Sequence, residues 1–360
     1  MFPGFFRKKA GILSLVFSAV LVLSGCGAKS PAAGASAAGE AVAGATAARE
    51  AGANRIAVFI PGVMSGSPIY EMLAAGVNRA AAEQPGVTVN VIEGGFNQAE
   101  WEPRISALAA SGVYGLIVSS NPSLPAIAQS VSANFPEQNF LLLDGEVSGN
   151  PHIYTLRYNQ EEQAFMAGHI AALVTLELSG ESAAEGAVRR VGLVAGQEYP
   201  AMNNIILPGY LAGARAVDPG FTADFRVVGN WFDAGTGALL AADMIRGGTA
   251  VILCVAGGAN EGVVQAASEA GAKVVWFDTN GYDIRPGTVV GSSVLYQDRA
   301  AYEQTKRYLA GTLPFGSAEM VGVADGFVDF VEDDPHYVAA VSPEIRAKQA
   351  ELIQKIRSGE

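Results

Sequence analysis

From residue 55 onward the chain alternates two kinds of segment. Short runs of β-branched, aliphatic and aromatic residues, the first being Arg55-Ile-Ala-Val-Phe-Ile60, are followed by longer stretches with apolar positions at helical spacing. In the first half the strand runs fall at 55–60, 87–93, 115–118 and 139–144, and the helical stretches at 70–83, 101–111 and 123–135. Several of these strand runs are apolar at successive positions, as expected of parallel strands covered on both faces. The order β-α-β-α-β-α-β predicts an open parallel sheet with helices on each side.

The same pattern then repeats. Helices are predicted at 161–178, 203–217, 236–246 and 261–270, and strands at 190–195, 222–228, 250–255 and 273–277. Two similar open sheets in one chain imply two lobes with a cleft between them, each lobe offering ligand groups from the loops at its strands' carboxyl ends.

The first 54 residues follow neither pattern. Arg7, Lys8 and Lys9 precede an apolar stretch at 10–23 that is short for a permanent membrane helix, so 1–25 reads as a secretory signal. It runs into Leu23-Ser24-Gly25-Cys26, which resembles a bacterial lipobox; Cys26 would be lipidated there and anchor the chain by its acyl groups, unless a signal peptide ends in cysteine by chance. Residues 26–54 are dominated by Ala and Gly with Pro31 among them, a flexible tether rather than a continuous alanine-rich helix. Localisation at the cell envelope, with the body outside the cytoplasm, follows from this reading.

Composition narrows the function. Of 360 residues, 50% are hydrophobic and 16% charged, which supplies a folded core and excludes disorder for the bulk of the chain. Lys and Arg number 23 against 35 Asp and Glu, a net charge of −12, so no nucleic-acid partner is expected. Two cysteines and three scattered histidines are too few for a disulfide scaffold or a zinc cluster, and neither a metal nor a cofactor is expected.

Candidate chemistry lies in the loops after the strands. Residues 61–68 hold glycines and hydroxyls, Ser65 among them, just before a helix start; this suits an oxygen-rich ligand group but equally an ordinary turn with an N-cap. Asp144 ends the fourth strand run. Gly229-Asn230-Trp231-Phe232-Asp233 follows the strand ending at Val228, Gly257 and Gly258 follow Val255, and Asp278-Thr279-Asn280 follows Phe277.

The machinery of an enzyme is hard to find in these loops. The chain has no Gly-x-Ser-x-Gly elbow, no Walker loop and no Gly-x-Gly-x-x-Gly after a strand. Asp144 and Asp278 could form an acid/base pair, yet carboxylates accepting hydrogen bonds from hydroxyls explain them equally well. Cys254 sits in an apolar strand run, the setting of an inert buried thiol.

From residue 56 to about 329 the chain resembles the basic membrane protein family, nucleoside-type substrate-binding lipoproteins of ABC importers. The resemblance is carried in order by Trp101-Glu102-Pro103, Gly112-Val-Tyr-Gly-Leu-Ile-Val118, Phe135-Pro136-Glu137-Gln138-Asn139-Phe140, Glu161-Glu162-Gln163-Ala164-Phe165-Met166-Ala167-Gly168, Pro208-Gly209-Tyr210-Leu211-Ala212-Gly213, Ala256-Gly257-Gly258-Ala259-Asn260-Glu261-Gly262 and Phe277-Asp278-Thr279-Asn280.

The resemblance implies a purine nucleoside held between two lobes, stacked by aromatics and bonded through its ribose. Trp231 falls where a stacking aromatic is expected, Asp144 and Asp278 where ribose-side acids are expected, and Gly257 or Gly258 where backbone approaches the ligand. Two segments depart from the family. Its Asp-x-x-x-Phe-Asn type segment is replaced by 62–70, with Ile69 or Tyr70 where the other aromatic would lie, and its ribose-binding lysine is replaced by Leu295 or Tyr296.

The expectation is therefore a type I periplasmic-binding-protein fold of two doubly wound α/β lobes, 55–157 with 292–320 and 158–291 with 321–360. The lobes should connect near 156–159, 292–296 and 321–325. The expected role is that of a monomeric, non-enzymatic receptor that captures a small polar aromatic solute and delivers it to an ABC permease. The expected ligand set is Ser65, Tyr70, Asp144, Trp231, Asp233, Gly257, Gly258, Asp278 and Tyr296. A receptor feeding a sensor, or a nucleoside-acting enzyme, are the alternatives. A DNA-binding repressor is disfavoured by a secretion signal where its DNA-binding module would stand.

Overall fold

The computed structural model describes residues 54–180 and 189–359. The signal segment, Cys26 and the tether up to residue 53 lie outside the described residues.

Two six-stranded sheets organise the body. The first contains β1 (Arg55–Ile60), β2 (Thr88–Glu93), β3 (Leu116–Ser120), β4 (Asn139–Leu143), β5 (Ile153–Tyr158) and β11 (Ala318–Val321), ordered β2-β1-β3-β4-β5-β11 with every pair parallel. The second contains β6 (Arg190–Ala195), β7 (Thr222–Val227), β8 (Val251–Val255), β9 (Lys273–Asp278), β10 (Val289–Leu295) and β12 (Val328–Phe330), ordered β7-β6-β8-β9-β10-β12; only β12 runs antiparallel to its neighbour. The two strand orders correspond position by position, the last strand differing in direction. In each, the order reverses beside the first strand, between β1 and β3 and between β6 and β8, which opens a crevice at the strands' carboxyl ends.

The strands are buried for the reason their sequences suggest. Ile56 to Ile60, all of β3 and nearly all of β8 are inaccessible, and each fully buried aliphatic side chain contributes about 1.5–3 kcal/mol. Helices α1 (Pro68–Ala82), α2 (Trp101–Ala110) and α3 (Leu124–Asn134) cover the first sheet, and α4 (Gln160–Leu178), α5 (Leu207–Val217), α6 (Ala234–Arg246) and α7 (Asn260–Ala270) cover the second. The chain leaves the first sheet after Tyr158. It returns through α8 (Gln297–Leu309), which packs on α1, and β11, then crosses again to β12, α9 (Pro335–Ala340) and α10 (Pro343–Ser358). Because Ser292, Ser293 and Val294 pair with Trp276, Phe277 and Asp278, β10 stays in the second sheet to Leu295, and the return crossing begins at Tyr296.

Helix α4 is buried around most of its girth, so its amphipathic signal is weak. Its contact with α5 depends on reciprocal glycines. A side chain on Gly168 would strike the Tyr210 carbonyl, and one on Gly213 would strike the Phe165 carbonyl. The helix expected from 203 already turns at 200–201 and then passes through a π-helical turn at Met202–Ile206, just before Pro208, which cannot donate the backbone hydrogen bond a regular helix needs there.

Candidate functional site

The strand ends bring two acids together from different lobes. Asp144 follows β4 with φ 57, and its amide donates to the Leu156 carbonyl at 2.9 Å. Asp278 is the last residue of β9 with φ 73, and its carboxylate accepts from Gln163 Nε2 at 3.1 Å. That amide also donates to the Ser293 carbonyl at 3.1 Å, while Ser293 Oγ donates to the Gln163 carbonyl at 2.8 Å, so a fully buried glutamine fixes the acid. Burial first, and the neighbouring Asp278 second, push the Asp144 carboxyl up to about 8. Burial raises Asp278 to about 6 against the opposing hydrogen bond from Gln163. No lysine or arginine among the described residues stands beside either acid.

The aromatic wall is equally constrained. Trp231 lies on Gly196, where any side chain would run into the indole, and its Nε1 donates to Gln197 Oε1 at 3.2 Å. Tyr199 meets the indole with ring centroids 6.0 Å apart at 50°. Tyr199 also lies within the field of both acids, which together with burial holds its phenol well above the ordinary value. In the other lobe Tyr70 donates to the Pro61 carbonyl at 3.3 Å and is hydrogen-bonded to the Asn121 side chain; burial pushes it up to about 12.

The remaining expected residues divide by what they touch. Gly257, with φ 58, and Gly258 face the Trp231 backbone: a Cβ on Gly257 would sit 2.9 Å from its carbonyl, and Gly258 donates to that carbonyl at 2.8 Å. They seat the tryptophan. Asp233 caps α6, its two oxygens accepting from the Thr236 amide at 3.0 Å and hydroxyl at 2.7 Å, which hold its carboxyl below the usual range. Ser65 is exposed in the loop between β1 and α1. Tyr296 lies on the return crossing, where its amide donates to the Phe327 carbonyl at 2.9 Å and its charged neighbours are Asp329, Asp333, Arg357 and Asp298, not the cleft acids.

Sequence reasoning missed Gln163, Tyr199 and a second buried amide, Gln297. Gln297 Oε1 accepts from Ser120 Oγ at 3.0 Å and Tyr158 Oη at 3.3 Å, and its Nε2 donates to the Ile69 carbonyl at 2.9 Å. Tyr158 is buried within the field of both acids. Among the described residues no group of His, Cys, Asp and Glu side chains is placed to hold a metal ion, and no helix is long and apolar enough to cross a membrane.

The sequence pattern of one family, the ABC transporter substrate-binding proteins described as PnrA-like, matches residues 53–360, which takes in both lobes. The chain belongs to this family. Among its Bmp relatives, Basic membrane protein D of Borreliella burgdorferi (strain JD1) is 26% identical over 227 residues, 61% of this chain and 62% of that protein. The ABC transporter nucleoside-binding protein BmpA of Lactococcus lactis is 26% identical over 150 residues, 42% of this chain and 39% of that protein. The matches thus span less than two thirds of these two relatives. An ABC transporter solute-binding protein from Aeropyrum pernix K1 superimposes with a TM-score of 0.71 at 24% identity, covering 85% of this chain and 91% of that one. The fold of this Bmp-family chain is accordingly the type I periplasmic-binding-protein fold.

Proposed function

We propose that this chain is the solute-binding component of an ABC importer, holding a neutral nucleoside between its lobes and delivering it to a membrane permease. Family membership supports the transport role, and the nucleoside-binding name of the Lactococcus relative supports the ligand class. The observation that carries the reading is the combination of a fixed indole at Trp231 with two acids that no lysine or arginine among the described residues neutralises. A base stacked on an aromatic ring gains about 1–3 kcal/mol. A hydroxyl donating to the ionised Asp278 carboxylate contributes about 1.5–3 kcal/mol, while Asp144, raised to about 8, is mostly protonated at neutral pH and offers one donor and one acceptor, a mixed set that ribose hydroxyls can match. A phosphate would meet the ionised Asp278 and the mostly neutral Asp144 instead of a cation, in a protein of net charge −12.

In this reading the body is monomeric, is held at the cell envelope through lipidated Cys26, and uses closure about the three crossings as the signal to the permease. Native mass spectrometry of the protein as purified tests the ligand class. A mass excess equal to a nucleoside, lost on mild denaturation, supports it. An excess equal to a sugar or an amino acid contradicts it.

A further inference from the structure

The lobes also meet through two phenylalanines that the site described above does not use. Phe96 follows β2 and Phe232 follows β7, the corresponding edge strands of the two sheets. Their ring centroids are 5.4 Å apart at 45°, although the residues remain 51% and 59% exposed. Each is held out by a fixed loop. On the first side Gly94 donates to the Ile60 carbonyl at 2.7 Å, Gly95 donates to that of Gly62 at 2.9 Å, and Trp101 Nε1 donates to the Gly95 carbonyl at 2.8 Å. On the second, the Asn230 side chain accepts from the Phe232 amide at 3.0 Å and the Asp233 amide at 2.8 Å.

Both rings continue the aromatic wall. A Cβ built on Gly62 would lie 3.4 Å from the Tyr70 ring and 3.7 Å from that of Phe96, so these two side chains flank one point of backbone. Phe232 adjoins Trp231, which meets Tyr199. The succession Tyr70, Phe96, Phe232, Trp231 and Tyr199 therefore runs from one lobe to the other, and among the described residues the ring contact of the two phenylalanines bridges it between lobes.

We propose that Phe96 and Phe232 form an aromatic clasp across the mouth of the cleft, which holds the lobes together and must part before the bound solute leaves. The proposal rests on the solute-binding reading for its ligand but not for the clasp itself. Two rings in a tilted pair attract modestly beyond the area they bury, enough to bias closure and weak enough to release. No charged group takes part in the contact, so it should be insensitive to salt.

Stopped-flow dissociation of the nucleoside that binds, compared for wild type, Phe96→Ala, Phe232→Ala and the double variant, tests the clasp. Each single variant should speed release by about tenfold, and the double variant should release no faster than the singles, because both remove one contact. Equal dissociation rates in all four proteins, or multiplying effects, overturn it. Small-angle X-ray scattering of the ligand-free proteins supplies an arm that needs no nucleoside. Both single variants should show a larger radius of gyration than wild type, and superimposable profiles contradict the clasp. If no nucleoside binds the wild type, the ligand assignment fails, and the scattering comparison still decides the clasp. Because both side chains are largely exposed, the melting temperatures should stay unchanged.

Discussion

Asp144 and Asp278 stand at the same place in the two lobes, one at the end of β4 and the other at the end of β9, and both have left-handed backbone, with φ of 57 and 73. That conformation is uncommon for a side chain other than glycine and costs about 1–2 kcal/mol. Each acid is also raised by burial, and Asp144 further by Asp278 itself. Two strained, poorly solvated carboxylates at matching positions are a stability cost that packing alone does not require, and such costs concentrate where a ligand is bound.

Asp144→Asn should stabilise the protein while weakening the ligand. The folded-state carboxyl lies near 8, above its ordinary value of 3.8, so the stability tied to its neutral form is complete below pH 4 and is lost as pH rises through 8. The variant's melting temperature should therefore exceed that of wild type by roughly 2 °C or more at pH 8.5 and match it near pH 4. Its affinity for a hydroxyl-bearing ligand should fall by about tenfold. Thermal melts across this range check the first part; a difference that does not grow with pH contradicts it.

Gln163→Leu should damage stability and binding together. The substitution removes the donor that holds Asp278 and leaves the Ser293 carbonyl without that partner. Losing a buried hydrogen bond to a charged group costs about 1.5–3 kcal/mol. Chemical denaturation should show this loss, and titration calorimetry should show about tenfold weaker binding. Wild-type affinity in a destabilised variant would mean that Asp278 does not contact the ligand.

Trp231→Ala and Asp233→Ala should separate recognition from support. The tryptophan variant should lose tenfold or more in affinity, about 1–3 kcal/mol. The aspartate caps α6, so its loss should cost about 1 kcal/mol of stability with a smaller effect on affinity. Paired calorimetry and melting curves read both quantities, and the reverse ranking in affinity would contradict the geometry.

Cys26→Ser should release the protein from membranes if the cysteine carries the anchor. Fractionation of cells expressing each form should place the wild type in the membrane pellet and the variant in the soluble fraction. Equal partitioning contradicts lipidation at Cys26.

Much of the architecture was legible because parallel strands covered on both faces are written as short apolar runs, as in Ile56 to Ile60 and Val251 to Val255. The acids were legible because a carboxylate closing such a run sits at the carboxyl end of its strand, as Asp144 and Asp278 do. Other roles depend on contacts between segments remote in sequence. Gln163 lies on a helix buried on nearly all sides and reads as one more polar residue until Asp278 is brought beside it. Gly257 and Gly258 are expected where backbone approaches a ligand, and in the structure they also make room for the Trp231 backbone, a contact no local pattern announces. Asp233 also caps α6, with Thr236 three residues on donating to each of its oxygens, a pattern the sequence contained as an N-cap signature. The irregular start of α5 was signalled by Pro208.

The central claim is that the cleft recognises a neutral nucleoside through Trp231, Asp144 and Asp278. Isothermal titration calorimetry with purine and pyrimidine nucleosides, the free bases and the corresponding 5′-monophosphates tests it most directly. The account predicts saturable one-to-one binding of at least one nucleoside and none of its monophosphate. Tight binding of a monophosphate, or no heat from any nucleoside or base, would contradict it.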